Sequence, residues 1–134
     1  METKTKQMKI LKIDVVSKTV TEIEIENNLA DIYSAIGNGC NLFCVPITFD
    51  NGDALFADDE ALLQENVQGA FMMDDWESPI VGNALIVGTD SEGDSISCKT
   101  KVNELFSKIT FLDSDSAEKW REEVINSPKM IIFF

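Results

Sequence analysis

Three carboxylates lie within five residues, in the segment from residue 90 to residue 94 that runs Asp-Ser-Glu-Gly-Asp. Oxygen ligands on a glycine-containing turn are suited to Ca²⁺ and other hard divalent cations. An EF-hand loop that began at Asp90 would need a bidentate acid at its twelfth position, which is Lys101. Two interpretations of Asp90, Glu92 and Asp94 therefore stand side by side. They form a divalent-metal site, or they form a solvated hairpin turn, as such segments more often do.

The three cysteines are the second source of reactive groups. Cys40 and Cys44 are four residues apart, and Cys98 is distant from both in sequence. A zinc site would need a fourth ligand, and because the chain has no histidine this ligand would be an Asp or a Glu. Free cysteine is often a small core residue, so we favour buried structural thiols. An odd number of cysteines also indicates a reducing compartment, and we expect a cytoplasmic protein.

The absence of histidine excludes Ser-His-Asp and Cys-His catalysis, and also His-ligated zinc or haem. Paired acids that could catalyse hydrolysis occur only as sequence neighbours, such as Asp58 with Asp59. Neighbouring side chains on a strand point apart, so a catalytic pair would have to come from different segments. We predict no catalytic residues and no cofactor.

Charge is distributed unevenly along the chain, whose formal net charge is -13. Residues 19–98, here called the acidic block, contain sixteen Asp and Glu residues and no Lys or Arg. These carboxylates cannot pair with a cation inside the block, so they must face water, the flanking segments or a cationic partner. Direct binding to nucleic acid is not expected, because contacts to phosphates depend on lysine and arginine.

One segment combines large apolar side chains with acids, just before a long apolar run. Trp and Met beside carboxylates can anchor a protein partner. The alternative is that the segment folds its large side chains over the core, which is where such residues more often lie. The residues that we predict to contact a protein partner are Met72, Met73, Asp74, Asp75, Trp76 and Glu77.

The elements that must position these groups follow from hydrophobic periodicity. Residues 8–15 and 20–26 alternate as strands and predict a hairpin. Asn28 is placed to cap a helix that ends at Gly37. Residues 42–57 predict a second hairpin, with a type I′ turn at the Asn-Gly pair after Asp50.

Later segments are less regular. Pro46 must lie at a sheet edge or a bulge. The apolar run 80–88 predicts a buried central strand, followed by a short strand at 95–98. Residues 101–109 carry a helical stripe, and a further helix begins at Ser114 or Asp115. Residues 67–76 show no clear pattern.

The chain is predicted to be a single α+β domain with a mixed or mostly antiparallel sheet and two to four helices. We expect a flexible, Lys-rich N-terminus at residues 1–7 and a core domain at 8–112. Residues 113–134 would form a C-terminal helix and an apolar terminal strand, Met130–Phe134, that could join copies into a homo-oligomer. No run approaches about 20 consecutive apolar residues, so no membrane contact is expected.

Several segments together resemble a known family. They are MKILKID at the first strand, ENNL before the first helix and, above all, DDWESPIVGNALIVGTDSEGD. The chain resembles the domain-of-unknown-function family DUF3846, found in small proteins of phages, plasmids and conjugative elements of gut bacteria. The resemblance spans residues 8–112 and is most specific from Pro79 to Asp94. It implies an accessory gene of a mobile element, and it carries no activity over to this chain.

Three classes of function remain after these exclusions. The leading hypothesis is a non-catalytic, acidic interaction protein, including the form in which its carboxylates mimic nucleic acid and occupy a DNA-processing or defence protein. The second is a pocket protein for a small ligand or metal, or a histidine-free hydrolase that uses acids from residues 74–94. The third is an assembly subunit joined through the terminal strand.

Overall fold

Nine strands and three helices make up the part of the chain that the computed structural model describes, which is residues 7–37, 39–40, 42–61, 68–74, 76 and 78–125. The strands are β1 (Gln7–Asp14), β2 (Thr19–Glu26), β3 (Phe43–Thr48), β4 (Ala54–Asp58), β5 (Ala70–Met73), β6 (Ile80–Val81), β7 (Ala84–Thr89), β8 (Ser95–Ile96) and β9 (Ile109–Leu112). The helices are α1 (Leu29–Ile36), α2 (Val102–Phe106) and α3 (Ser114–Ile125). The predicted terminal strand, Met130–Phe134, and residues 1–6 of the predicted N-terminal segment lie outside the described residues.

The strands form two sheets. The larger has the order β2-β1-β7-β4-β3, with β8 paired to the end of β7, and the smaller has the order β6-β5-β9. Every pairing between the described strands is antiparallel. The predicted α+β class, with mostly antiparallel sheet and three helices, is therefore confirmed. The strands divide between two sheets, however, where the sequence patterns indicated one.

The larger sheet is apolar on both faces, and β7 lies at its centre. Leu85 and Val87 pack on the side of α1, whereas Ala84 and Ile86 pack on the opposite side. All four are fully buried. A strand that is covered on both faces has an almost continuous apolar sequence, which explains why this part of the chain shows no alternation.

Helices and the smaller sheet cover the larger sheet in layers. Helix α1 packs on one face through Ile32 and Ile36. The smaller sheet and α2 pack on the other face through Phe71 and Leu105. Ala117 of α3 then covers the outer face of the smaller sheet. Across the described ranges, no helix has the length and apolar content that a membrane crossing requires.

The first hairpin and the helix that follows it form as predicted. Eight residue pairs join β1 to β2 in register. The Asn28 side chain accepts a hydrogen bond from the Asp31 amide (2.8 Å), and Asp31 in turn accepts one from the Glu26 amide (3.0 Å). Gly37 ends the helix with φ +78°, and its N–H bonds the Tyr33 carbonyl. Both helix ends are thus satisfied by local side-chain and backbone groups.

The apolar run 80–88 is divided between the two sheets. Gly82 has φ +84°, and this left-handed residue turns the chain between β6 and β7. Asn83 fixes the turn, since its Oδ1 accepts from the Val15 amide (2.9 Å) and its Nδ2 donates to the Ile36 carbonyl (3.0 Å). The prediction of a buried central strand is correct for residues 84–88. It is wrong for residues 80 and 81, which belong to the smaller sheet.

Two further predictions, the helix at 101–109 and the turn after Asp50, differ from the structure. The predicted helix at 101–109 ends at Phe106, because Ile109 begins β9 and pairs with Met73. The predicted type I′ turn is also wrong, because Asn51 has no positive φ. Its Oδ1 instead accepts a hydrogen bond from the Asp53 amide (2.9 Å) and closes an Asx turn. Pro46 lies at the predicted place, in edge strand β3 within a register shift.

The close approach of the chain at Gly88 yields a stability prediction. A Cβ added at Gly88 would overlap the backbone carbonyl of Ser97. We expect Gly88→Ala to lower the free energy of unfolding by about 1–3 kcal/mol, since the backbone must shift to admit the methyl group. Thr89→Ala, at an exposed neighbouring position, should change it by less than about 0.5 kcal/mol. Urea denaturation measures both, and equal midpoints would contradict the overlap.

Candidate functional site

The structure divides the predicted interaction residues among different surroundings. Met73 is 4% exposed and packs in the main core, whereas Met72 points to the opposite face of β5 and is 36% exposed. Asp74 and Trp76 follow the strand and are exposed. The Asp74 amide bonds the Lys108 carbonyl (2.9 Å), and the Trp76 amide bonds the Met73 carbonyl (3.1 Å). Asp75 and Glu77 lie outside the described residues.

Met73, Asp74 and Trp76 line a cleft of about 600 Å³. One wall is strand β3 and the loop after it, from Pro46 to Asn51. The rest of the lining comes from the end of β5, from α2 with Lys108 just beyond it, and from Thr100. The cleft thus joins the larger sheet, the smaller sheet and α2. Met72 is not among the residues that line it.

The lining of this cleft is both acidic and aromatic. Asp50, Asp74 and Glu104 contribute three exposed carboxylates, and Lys108 contributes one ammonium group. Trp76 is 38% exposed, which leaves much of its ring open to a ligand. Carboxylates beside an aromatic face favour the binding of a cationic group that also carries apolar carbons.

A buried aspartate, Asp53, joins two segments that line the cleft. Asp53 is 1% exposed, and its carboxylate accepts four hydrogen bonds. The Lys99 amide bonds Oδ1 and Oδ2 at 3.1 and 3.0 Å. The Thr100 amide and hydroxyl both bond Oδ2, at 2.8 and 2.6 Å. A carboxylate removed from water requires such donors, because burying it without them would cost several kcal/mol.

The same network extends to the lining of the cleft. Asn51 donates from Nδ2 to the Thr100 hydroxyl (3.1 Å), and that hydroxyl donates to Asp53. Asn51 and Thr100 both line the cleft. The chain around Thr100 leads directly into α2, so the aspartate positions the helix that carries Glu104. Asp53 is therefore a structural group that joins the β3–β4 hairpin to the segment before α2, and both of these line the cleft.

Sequence reasoning did not single out Asp53 or Thr100. A weak signal was present, since Asp53 directly precedes the apolar residues of a predicted strand. Its partners, however, are 46 and 47 residues away in the chain. Contacts at that separation follow from the packing of the hairpin against the segment after β8, which no local pattern encodes.

The three cysteines are free thiols: Cys44 and Cys98 pack against the main core, and Cys40 lies in the core beneath α1. Cys40 is buried, and Cys44 and Cys98 are partly buried. The Cys40 thiol donates to the Leu42 carbonyl (3.5 Å), and the Cys98 thiol donates to the Thr100 carbonyl (3.6 Å). Among the described residues, no group of three or more Cys, Asp or Glu side chains is arranged to hold a metal ion. The burial of these thiols agrees with the structural interpretation.

The predicted metal segment forms a tight turn. The Asp90 Oδ1 accepts hydrogen bonds from the Glu92 and Asp94 amides, both at 2.9 Å. One carboxylate oxygen is therefore engaged by the turn itself, and the Glu92 and Asp94 side chains are exposed. This geometry favours the solvated turn, and metal binding at Asp90, Glu92 and Asp94 stays a prediction.

Removing the Asp53 charge tests its structural role. We expect Asp53→Asn to lower the free energy of unfolding by about 2–3 kcal/mol. The amide has one oxygen to accept hydrogen bonds, and its NH₂ group would face the N–H groups of Lys99 and Thr100. Asp50→Asn, three residues away on the exposed loop, should change it by less than about 0.5 kcal/mol. Chemical denaturation monitored by circular dichroism compares the two. Similar small losses would show that the buried carboxylate contributes little.

The thiols provide a prediction about pH. Burial raises the pKa of the Cys44 thiol to about 11, and the Asp59 carboxylate adds to the shift. Burial likewise raises the pKa of Cys98 to about 11, with a contribution from Asp53. Because the thiolate is the reactive form, iodoacetamide at pH 8 should alkylate both about 100-fold more slowly in the folded chain than in urea.

The same shifts make stability depend on pH. Between about pH 9 and pH 11 the unfolded chain loses these protons before the folded chain does, so the free energy of unfolding should fall as pH rises. Mass spectrometry of the alkylated protein and denaturation at several pH values measure the two effects. Equal alkylation rates in folded and unfolded protein would contradict the assignment.

Comparison with known proteins places the chain in a family. A family model described as a domain of unknown function, DUF3846, matches residues 8–110. No match to a curated protein is found, and none to a solved structure. The matched range contains Asp53 and every residue that lines the cleft. The resemblance predicted from the sequence is thus confirmed, and the chain belongs to the DUF3846 family of domains of unknown function.

Proposed function

We propose that the chain is a non-catalytic, acidic interaction module of a mobile genetic element, and that its partner is a protein with a cationic surface. The observation that carries the proposal is the acidic block, in which sixteen carboxylates are uninterrupted by any lysine or arginine. A surface of this kind attracts cationic proteins and repels nucleic acid. Salt limits the range of both effects to the Debye length, about 10 Å.

The exposure of these acids supports the proposal. Thirteen acids of the block are among the described residues, and two of them, Asp53 and Asp58, are buried. The other eleven keep contact with water: five are partly buried and six are exposed, namely Glu22, Glu24, Asp50, Asp74, Glu92 and Asp94. Most of the negative charge is therefore available to a partner.

The topology gathers several of these acids at one end of the larger sheet. The β3–β4 loop lies beside the β7–β8 turn, since Gly52 approaches the Thr89 carbonyl. The end of β2 joins them there, because Asn27 donates from Nδ2 to the Ser95 carbonyl (2.9 Å). Asp50, Glu92 and Asp94 thus lie toward the same end as the glutamates of β2. Lys9 and Lys99 also lie at this end. The exposed acids there, Glu24, Asp50, Glu92 and Asp94, outnumber the two lysines, so the end is negative.

A partner that normally binds nucleic acid fits this charge pattern. Its phosphate-binding surface is already rich in lysine and arginine, so a field of exposed carboxylates is attracted to the same surface. In this form of the proposal, the chain acts in the cytoplasm by occupying a DNA-processing or defence protein. Binding to that protein and binding of DNA to it would then exclude each other.

The cleft supports a second candidate function, the binding of a small ligand. A concave site of about 600 Å³ with an exposed tryptophan and a few polar groups has the size of small-molecule pockets. Its lining has no histidine, and we propose binding without catalysis for this alternative too.

Competition by DNA tests the leading proposal. Immobilised full-length chain should retain host proteins from a lysate at low salt, and duplex DNA should release them, because DNA and the acidic surface compete for one site. Mass spectrometry identifies the proteins released. Retention of proteins that duplex DNA does not release would contradict nucleic-acid mimicry, and no retention at any salt concentration would favour the small-ligand alternative.

A matched pair of variants separates the acidic block from charge in general. The triple variant Glu24→Gln, Glu92→Gln, Asp94→Asn should lose most of the retained protein. The control Asp115→Asn, Glu122→Gln, Glu123→Gln removes the same charge from exposed positions of α3, outside the block. Equal losses in both would show that net charge alone governs the interaction.

A further inference from the structure

We propose that the cleft binds an extended cationic segment of the partner protein, which lies along the edge of β3 and places an arginine or lysine between Asp50, Asp74 and Glu104. This inference rests on the proposed function and adds to it the site and the chemistry of the contact. It follows from the strand edge, the hydrogen-bond register and the charges of the lining residues.

The cleft runs along the edge of a strand. Its first wall consists of six consecutive residues, from Pro46 to Asn51. Successive side chains of a strand point to opposite faces, so a surface on one face would be lined by every second residue. Three of the six, Pro46, Ile47 and Thr48, are consecutive residues of β3. Contact with all three indicates that the cleft follows the backbone edge of β3, the last of the described strands in the larger sheet.

The register of the hairpin leaves backbone groups directed toward this edge. The Phe49 amide bonds the Asp53 carbonyl across the hairpin (2.8 Å), and Thr48 is the next residue, opposite Ala54. Hydrogen-bonded and non-hydrogen-bonded pairs alternate in an antiparallel ladder, so the N–H and C=O of Thr48 point away from β4. They are placed to pair with an added strand.

Pro46 limits how long that pairing can be. Proline has no N–H to donate, and the register of β3 shifts between Cys44 and Ile47. Both features oppose the addition of a long strand at this edge. Among the described residues no strand pairs with β3 on this side, and the backbone groups of Thr48 are directed to it, which favours a short extended segment over a full additional strand.

The charges of the lining residues determine which class of peptide segment fits the cleft. The three carboxylates face one ammonium group, that of Lys108, so the cleft has an excess of two negative charges. An apolar segment would desolvate the carboxylates without pairing them, which is unfavourable. An arginine or lysine can place its head between the acids while its methylene groups lie against Trp76 and Phe49.

A direct binding measurement tests the site. The probe is a blocked octapeptide of alternating arginine and threonine that carries a neutral fluorophore, and the readout is its fluorescence anisotropy with the full chain. The cleft variant Asp50→Asn, Asp74→Asn, Glu104→Gln should weaken binding about tenfold, as expected from the loss of three partly screened charge pairs. The matched control Asp115→Asn, Glu122→Gln, Glu123→Gln, at exposed positions of α3, should weaken it less than about threefold.

A second probe tests the backbone pairing. The same octapeptide with N-methyl groups on alternate amides keeps its charge but cannot donate to the Thr48 carbonyl. It should bind about tenfold more weakly to the wild-type chain. Equal binding of the two peptides would overturn the placement along β3.

The outcomes distinguish this inference from the function on which it rests. Equal weakening by the two triple variants, or no binding of the arginine peptide, would overturn the cleft as the site. Either result leaves the acidic block to be judged by its own test, the release of captured proteins by duplex DNA. Weakening by the cleft variant and by N-methylation together would support the site in full.

Discussion

The buried carboxylate of Asp53 is the interaction on which the arrangement of the cleft depends. A carboxylate that is 1% exposed is tolerated when donors surround it, and here the donors are the Lys99 amide and the amide and hydroxyl of Thr100. These bonds tie the β3–β4 hairpin to the segment that leads into α2. Two parts of the cleft lining that are distant in the chain are joined as a result.

The second constraint is the division of one apolar run between two sheets. Gly82 and Asn83 turn the chain so that β6 enters the smaller sheet while β7 becomes the centre of the larger one. The smaller sheet can then pack across the face of the larger, and the end of β5 brings Asp74 and Trp76 to the hairpin loop. The cleft lies where the two sheets and α2 meet, although no single element contains it.

Charge and packing are separated in this protein, and that separation supports its proposed role. The core is apolar and includes almost none of the acids of the block, which leaves most of them in water. Exposed like charges do little to stabilise a fold, but together they create a field that attracts a cationic partner. The cleft adds to this charge an aromatic ring and three exposed carboxylates in one concave place.

The sequence by itself determined the features that depend on neighbouring residues. Alternation over residues 8–26 specified the first hairpin, and Asn28 and Gly37 specified the ends of α1, because caps and strand periodicity act within a few residues. It also identified the family and the acidic block. The tertiary structure alone decided the second sheet, the early end of α2 and the network around Asp53. Each of these depends on hydrogen bonds or packing between segments far apart in the chain, which local periodicity does not record.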